Sequence, residues 1–386
     1  MSAGMDHHRD LYQRDHCHPQ TKMNAVSSLE TVIKSYAPGR AELLGNHTDY
    51  NEGLVLSIAV ERGVRISGQV RNDDRICIHS RDLGQNFEGA ISSLSPSVES
   101  PWANYLLGIF AEFQKRNLPL GGVNIDIESN LPQGAGLSSS AALEIATALL
   151  LQNAFGSEIP RLELARIGQA AEHHYAGVRC GLLDQISSLF GLAGQATFID
   201  CRTYEIRNLP LPSTVRFVIA NSPVKHALVG GEYQERRESC EKAALTLGIP
   251  ALRDIDVGAL ERRSRELPLL ALKRARHITG ENERVAAALA GLEKGDVSIL
   301  GEAMFASHRS SIENFENSCP ELDLLVQAAR TVPGCLGARL SGGGFGGATI
   351  NLVLAEAETD LITALERAVP GTLCISTQAA NGAHLE

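Results

Sequence analysis

No concentrated basic stretch runs through this 386-residue sequence, whose formal net charge is -10 and whose pI is near 5.7. Nucleic acid is bound by clustered Lys and Arg, so it is excluded as a main partner. The short groups Arg236-Arg237 and Glu261-Arg262-Arg263 do not alter that. An apolar run of membrane-spanning length is also missing. The first residues carry His, Asp and Arg instead of an apolar segment, which predicts no signal peptide. The eight cysteines are scattered and none forms a Cys-x-x-Cys pair. They read as reduced, mostly buried thiols of a cytoplasmic protein. Neither an internal repeat nor a low-complexity linker is visible.

What is present suits a globular chain, with 44% hydrophobic and 21% charged residues. The length exceeds one ordinary domain, so two lobes sharing a cleft are expected. Residues 1–26 are polar and aperiodic and read as a disordered tail. Its His7-His8 and His16-Cys17-His18 lack a second ligand group at zinc-site spacing. Strands are expected at Thr31–Tyr36, ended by Pro38-Gly39, and at Gly53–Val60, Gly63–Val70 and Val123–Ile127. Helical spacing marks Trp102–Arg116, Ala141–Ala154, Leu162–Tyr175 and Leu182–Phe190. Val215–Ala220 then opens a second half with helices at Gly231–Leu247, Asn282–Ile299 and Glu321–Arg330, and a strand at Ala348–Leu354. The fold class is α+β in two lobes, 27–205 and 206–386.

Four segments carry more polar or glycine residues than structure alone needs. In Leu131-Pro-Gln-Gly134-Ala135-Gly136-Leu137-Ser138-Ser139-Ser140-Ala141, glycines let the backbone approach an anion. The serines open a helix whose unpaired N–H groups and dipole favour phosphate. A helix cap after a tight turn would require only one Ser and one Gly. The absence of Gly-Lys-[Ser/Thr] means this is not a Walker A loop. In Pro38-Gly-Arg40-Ala-Glu-Leu-Leu-Gly45-Asn46-His47-Thr48-Asp49-Tyr50-Asn51, fixed donors and acceptors suit the hydroxyls of a sugar, and Arg40 suits a transferring phosphoryl group. In Gly181-Leu-Leu-Asp184-Gln185, Asp184 is either a helix cap or a carboxylate that orients or deprotonates an attacking hydroxyl. Glu172, one helix upstream, is either a solvated helix residue or a magnesium ligand. The run Gly342–Gly347 places five glycines around Phe345, which calls for close backbone packing against the phosphate loop or the substrate.

Taken in order, these segments resemble the GHMP kinase superfamily, and within it the galactokinase family, from about Tyr36 to Leu354. Cys180-Gly181-Leu-Leu-Asp184-Gln185, Gly231-Glu-Tyr233-Gln-Glu-Arg-Arg237 and Ser318-Cys-Pro-Glu-Leu-Asp323 are similar to that family too. The resemblance implies an N-terminal lobe of the ribosomal S5 domain 2-like type, a C-terminal GHMP lobe and an active site between them. It implies ATP and Mg²⁺, with phosphoryl transfer to the anomeric C1 hydroxyl of galactose. Arg40 and Asp184 would be catalytic. Asn46, His47, Thr48, Asp49, Gly181 and Tyr233 would hold the sugar. Gly134 to Ser140 would wrap the triphosphate, Ser140 and Glu172 would hold the metal, and Trp102 would line the adenine pocket. The expected partners are ATP and a small sugar, with no nucleic acid and no membrane, in a monomer or weak homodimer.

Two positions depart from the family's usual pattern. Asn46 stands where the family usually has a Glu that contacts the sugar around its C6 hydroxyl, and Glu42 where it usually has a small polar residue such as Asn. Losing a carboxylate at position 46 raises the expectation of a C6-modified sugar such as galacturonate, or of N-acetylgalactosamine. A catalytically dead sugar sensor is a further alternative, opposed by the intact Ser138-Ser139-Ser140-Ala141 and by Asp184.

Overall fold

The computed structural model describes residues 32–132, 134–223 and 231–386. The expected tail, its His and Cys cluster, and Gln133 of the phosphate loop lie outside the described residues. The larger sheet contains β1 (Ile33–Leu44), β2 (Leu54–Val70), β3 (Arg75–Ser80), β4 (Gln85–Ala90), β5 (Val123–Ser129), β6 (Gln195–Asp200) and β7 (Ile206–Pro210). Helices α1 (Asn104–Lys115), α2 (Ser139–Ala154), α3 (Arg161–Ala171) and α4 (Leu183–Phe190) complete this half. β2 is the hub. It pairs with β1 along most of its length, with β6 at Leu54–Ser57 and with β5 at Val64–Val70. The expected gap after Val60 is absent because the exposed Glu61 and Arg62 lie on a strand whose pairing resumes at Gly63.

β1 likewise runs through Pro38-Gly39 instead of ending there. The register against β2 shifts between Pro38 and Arg40, and such an irregularity is where a residue without an N–H is tolerated. Gly39 is required at this point. A Cβ would stand 2.6 Å from both the Leu131 side chain and the Leu137 carbonyl. The local breaker thus becomes the place where the phosphate loop rests on the sheet, with Arg40 N donating to Leu137 O at 3.1 Å.

The second half has a four-stranded antiparallel sheet, β8 (Val215–Asn221), β9 (Cys335–Ser341), β10 (Ala348–Leu354) and β11 (Leu373–Thr377), in the order β11-β8-β10-β9. Its helices are α5 (Gly231–Leu247), α6 (Val257–Arg262), α7 (Leu269–Glu293), α8 (Ser298–Ser310), α9 (Pro320–Thr331) and α10 (Glu358–Ala368). The single helix expected over Asn282–Ile299 is two. α7 ends where Gly295 adopts φ +76°, a left-handed stop that glycine adopts without strain. The period of two along β8 sends Val218 and Ala220 to the α9–α10 core and Phe217 and Ile219 to the large core.

That large core joins both halves, since it includes Ile58 and Ile145 together with Met304 and Ile350. A division at residue 205 would also cut the β6–β7 hairpin. After β11 the chain returns, and β12 (His384–Leu385) pairs with β1. The two lobes therefore share strands and core. Among the described residues no helix is long and apolar enough to cross a membrane.

α8 lies directly on β9. A Cβ on Gly301 would stand 2.2 Å from Leu336 O, and one on Gly337 would meet the Gly301 backbone at 2.5 Å. Gly301→Ala is expected to destabilise the fold by about 1–3 kcal/mol. Urea unfolding should show a lower midpoint at unchanged slope. A variant as stable as the parent would contradict this packing.

Candidate active site

The phosphate loop sits between the two sheets. Gly134 and Gly136 adopt φ of +73° and +65°, and Ser138, without glycine's freedom, adopts +52°. A non-glycine residue held there carries strain, a frequent feature of functional loops. α2 then begins at Ser139 with no side-chain cap and no acidic residue in its first turn. Its first N–H groups are thus not taken by a capping side chain and suit an anion.

Arg40 reaches this loop from β1. Its Nη1 donates to Gly136 O at 2.6 Å, and its Nε and Nη2 approach Asp184 Oδ1 at 2.8 and 2.7 Å. Ser138 donates its hydroxyl to the other Asp184 oxygen. Phosphate loop, β1 and the first turn of α4 therefore meet at one carboxylate. Asp184 keeps 23% of its side chain exposed, whereas Arg40 is nearly enclosed. A charge-assisted pair of this kind is strong and directional.

Behind it lies a second acidic group. α3 passes into a wider turn of five residues at Glu172–Ala176, a change of pitch common at functional sites. Glu172 there accepts from Ser140 Oγ at 3.2 Å, from Cys180 Sγ at 3.1 Å and from Gln185 Nε2 at 3.1 Å. Gln185 also donates to the buried Glu144 at 3.0 Å. Burial, together with the neighbouring carboxylates, raises both Glu144 and Glu172. Among the described residues no cluster of three or more His, Cys, Asp or Glu forms a closed metal cage. Ser140 and Glu172 instead offer two hard oxygen donors beside the phosphate loop. That fits magnesium, which takes one or two protein ligands and completes its shell with water and substrate phosphates.

The loop after β1 divides unevenly. Asp49 points at Gly181, where a Cβ would stand 2.1 Å from Asp49 Oδ2. Both residues line a cavity of about 150 Å³ together with Tyr50, Leu182 and Arg237. Burial, and then the charges of Asp184 and Glu42, push the Asp49 carboxyl up to about 6. A larger groove of about 320 Å³ lies on the outer face of the sheet around His79 and Asp126 and contains none of the motif residues.

Asn46, His47 and Thr48, expected to hold the sugar, have polar groups that the protein already engages. Thr48 Oγ1 serves the turn, at 2.7 Å from both Gly45 O and Leu54 O. His47 Nε2 lies 3.0 Å from Gly343 O and Nδ1 lies 2.9 Å from the Tyr50 hydroxyl. A carbonyl only accepts, so Nε2 carries the proton and Nδ1 accepts from Tyr50. The Asn46 amide is bound on both its nitrogen and its oxygen. Tyr233 is half-buried, its ring 5.1 Å from that of His47 and 5.7 Å from that of Tyr50. Trp102 is half-buried against the large core, its indole Nε1 buried without a hydrogen-bond partner. Of the glycine run, Gly343 faces Tyr233, and the backbone at Gly134 and Gly136 packs against Gly347 and Ser341.

Several residues of the site carry no local signal in the sequence. Arg339, fully buried on β9, pairs with Glu42 at 2.8 Å. Glu281 of α7 accepts the Gly45 and Asn46 N–H groups at 2.8 and 2.9 Å. Burial opposes its ionisation, yet the charges of Arg284 and Arg339 and the Asn46 N–H hold its carboxyl well below the usual range.

Three family models match the chain. They are the galactokinase galactose-binding signature over residues 29–70, the GHMP kinases N terminal domain over 104–192 and the GHMP kinases C terminal over 288–369. The galactokinase of Chloroflexus aurantiacus is 40% identical over 325 residues, 83% of each chain. The chain belongs to the galactokinase family. The galactokinase of Thermotoga petrophila is 42% identical over 83% of this chain and 89% of its own. The structure of Lactococcus lactis galactokinase complexed with galactose superposes with a TM-score of 0.89 at 29% identity, covering 92% of this chain and 95% of that one. Methanococcus jannaschii mevalonate kinase, at 19% identity and a TM-score of 0.66, shares the fold. As a member of the galactokinase family the chain is a sugar-kinase phosphotransferase with the GHMP fold.

Burial sets a pH dependence on the frame of this site. It lowers His47 to about 4 and His277 to about 3, while an unfolded His titrates near 6.5. The unfolded chain then binds more protons below pH 6.5, so the stability these rings contribute is complete above that value and is lost as pH falls. His277→Gln should flatten the fall in urea-unfolding free energy between pH 7.5 and 5.5 by about 1.4 kcal/mol. Parallel wild-type and variant curves would contradict the neutral buried ring.

Proposed function

We propose that the chain transfers the γ-phosphoryl group of ATP to the anomeric C1 hydroxyl of galactose, releasing galactose 1-phosphate and ADP. The observation that carries this reading is the meeting of Arg40, Ser138 and Asp184 at the phosphate loop, with Asp49 and Gly181 beside it. ATP phosphates would occupy the loop from Gly134 to Ser140, against the N-terminus of α2. Trp102 is assigned to the adenine pocket. Ser140 and Glu172 would hold Mg²⁺, which neutralises phosphate charge when bound.

The sugar is assigned to the cavity beside Asp49. An ionised Asp49 accepts two hydroxyl protons, Gly181 leaves room for the Asp49 carboxylate, and Tyr233, whose ring lies 5.7 Å from that of Tyr50, would add its hydroxyl. The C1 oxygen attacks the γ-phosphorus as its proton passes to Asp184. The bond between that phosphorus and the β–γ bridging oxygen breaks, and ADP leaves. Arg40 is bound to both Gly136 O and Asp184, so it faces donor and acceptor together and stabilises the charge developing on the transferred group.

Galactose is favoured over a C6-modified sugar by the surroundings of Asn46. Its amide is committed to the protein, and a carboxylate, that of Glu42, remains 3.3 Å away. A carboxylate therefore still stands beside position 46, paired with Arg339. The dead-sensor reading gains no support from a site in which Asp184, Arg40 and Ser138 are all joined. A cytoplasmic location accords with seven described cysteines that are all unpaired thiols.

A coupled ADP assay with galactose, galacturonate and N-acetylgalactosamine tests the assignment. Galactose should give the highest kcat/KM by at least tenfold. Preferential turnover of galacturonate would refute the reading, as would binding of galactose without ADP release.

A further inference from the structure

Asn46 has no free hydrogen-bonding group. Its Nδ2 donates to Gly342 O at 2.7 Å and to Glu42 Oε1 at 3.3 Å, and its Oδ1 accepts from Asn317 Nδ2 at 3.0 Å. The residue is 1% exposed. Reversing the amide would set its oxygen against a carbonyl and a carboxylate, two acceptors, so the orientation is dictated by its neighbours. The backbone is equally committed. Its N–H donates to Glu281 at 2.9 Å and its carbonyl accepts from His277 Nε2 at 3.2 Å. These partners come from β1, from α7, from the segment before α9 and from the glycine run.

The glycine run is thin where Asn46 meets it. Gly342 and Gly343 give their carbonyls to Asn46 and His47. Across the run, a Cβ on Gly136 would stand 3.2 Å from Ser341 O, and a Cβ on Gly342 would stand 3.7 Å from Gly136 O. Along this path, between the Asn46 amide and Gly136, lies only the backbone of Ser341 and Gly342. Close-packed elements of this kind transmit small shifts. Moving Asn46 moves the Gly342 carbonyl, and with it the wall against which Gly136 and its bond to Arg40 rest.

We propose that Asn46 is a positioning residue that ties the acceptor loop to the phosphate loop through Gly342, so that sugar and nucleotide binding strengthen one another. The inference rests on galactose and ATP being the two substrates. Asp49, three residues further along the same loop, meets the sugar. Asn46 passes the position of that loop to the nucleotide side. Glu42, anchored by Arg339, holds the amide in its working orientation. Linkage then requires that each substrate raise the affinity of the other by the same factor.

The test is calorimetric titration of a non-hydrolysable ATP analogue into the full chain, with and without saturating galactose. Wild type should bind the analogue at least about fivefold more tightly when galactose is present. Asn46→Asp replaces a donor with an acceptor facing Gly342 O, and Asn317→Ala removes the partner of Oδ1 from the other lobe. Each should reduce the galactose effect to less than twofold while the ratio of kcat/KM for galactose over galacturonate stays within twofold of wild type. Asn317→Ala approaches the link from outside the acceptor loop, so it serves if Asn46→Asp fails to fold. Variants that retain the full galactose effect would overturn the proposal, as would a tenfold change in the sugar ratio with the effect intact. A wild type whose nucleotide affinity ignores bound galactose would overturn only the coupling. A wild type that binds no galactose would overturn the functional reading as well.

Discussion

Arg40 and Asp184 form the contact on which the rest of the site depends. A guanidinium buried in β1 grips a carboxylate at the start of α4 with two nitrogens and the phosphate loop with a third. Each partner depends on the other, because an Arg enclosed by protein without a counter-charge would bear a large desolvation cost. In the proposed reaction the pair is also where phosphoryl donor and acceptor would meet. Ser138 reaches Asp184 from the phosphate loop, and Asp49 raises the density of negative charge on the acceptor side. On that proposal, a loop that alone would hold a phosphate is aimed at a hydroxyl.

The surrounding architecture serves to bring backbones close. Gly39 admits the phosphate loop to β1, Gly181 admits Asp49 to α4, and Gly136 admits the glycine run. At each position a methyl group would meet a backbone or carboxylate oxygen. The lobes cannot be treated as independent bodies joined at the site. β12 returns to β1, and one apolar core contains residues from both sheets.

Much of this was legible in the residues themselves, and the exceptions have physical causes. The phosphate loop stood out because three serines and two glycines exceed what a helix cap needs. Arg40 and Asp184 stood out as charges among apolar or glycine neighbours, and Asp49 as a carboxylate in a segment crowded with donors and acceptors. Asn46, His47 and Thr48 read only as a row of donors and acceptors; their bonds to Gly342, Gly343, Asn317 and the turn at Gly45 are set by the fold. Three of those four partners lie more than 250 residues away in sequence, beyond any local pattern. Pro38-Gly39 read as a strand end because local breakers are visible and cross-strand pairing is not. The break between α7 and α8, by contrast, has a local mark in Gly295, which outweighs the continuous apolar spacing.

In the proposed reaction Arg40 and Asp184 act as one unit in phosphoryl transfer. A double-mutant cycle on kcat, using Arg40→Ala, Asp184→Ala and the combined variant, tests it most directly. Each single change should lower kcat by roughly 10²–10⁴-fold, and the double variant should be within about tenfold of the weaker single one. If the two losses simply multiply, the residues act independently and the account is wrong.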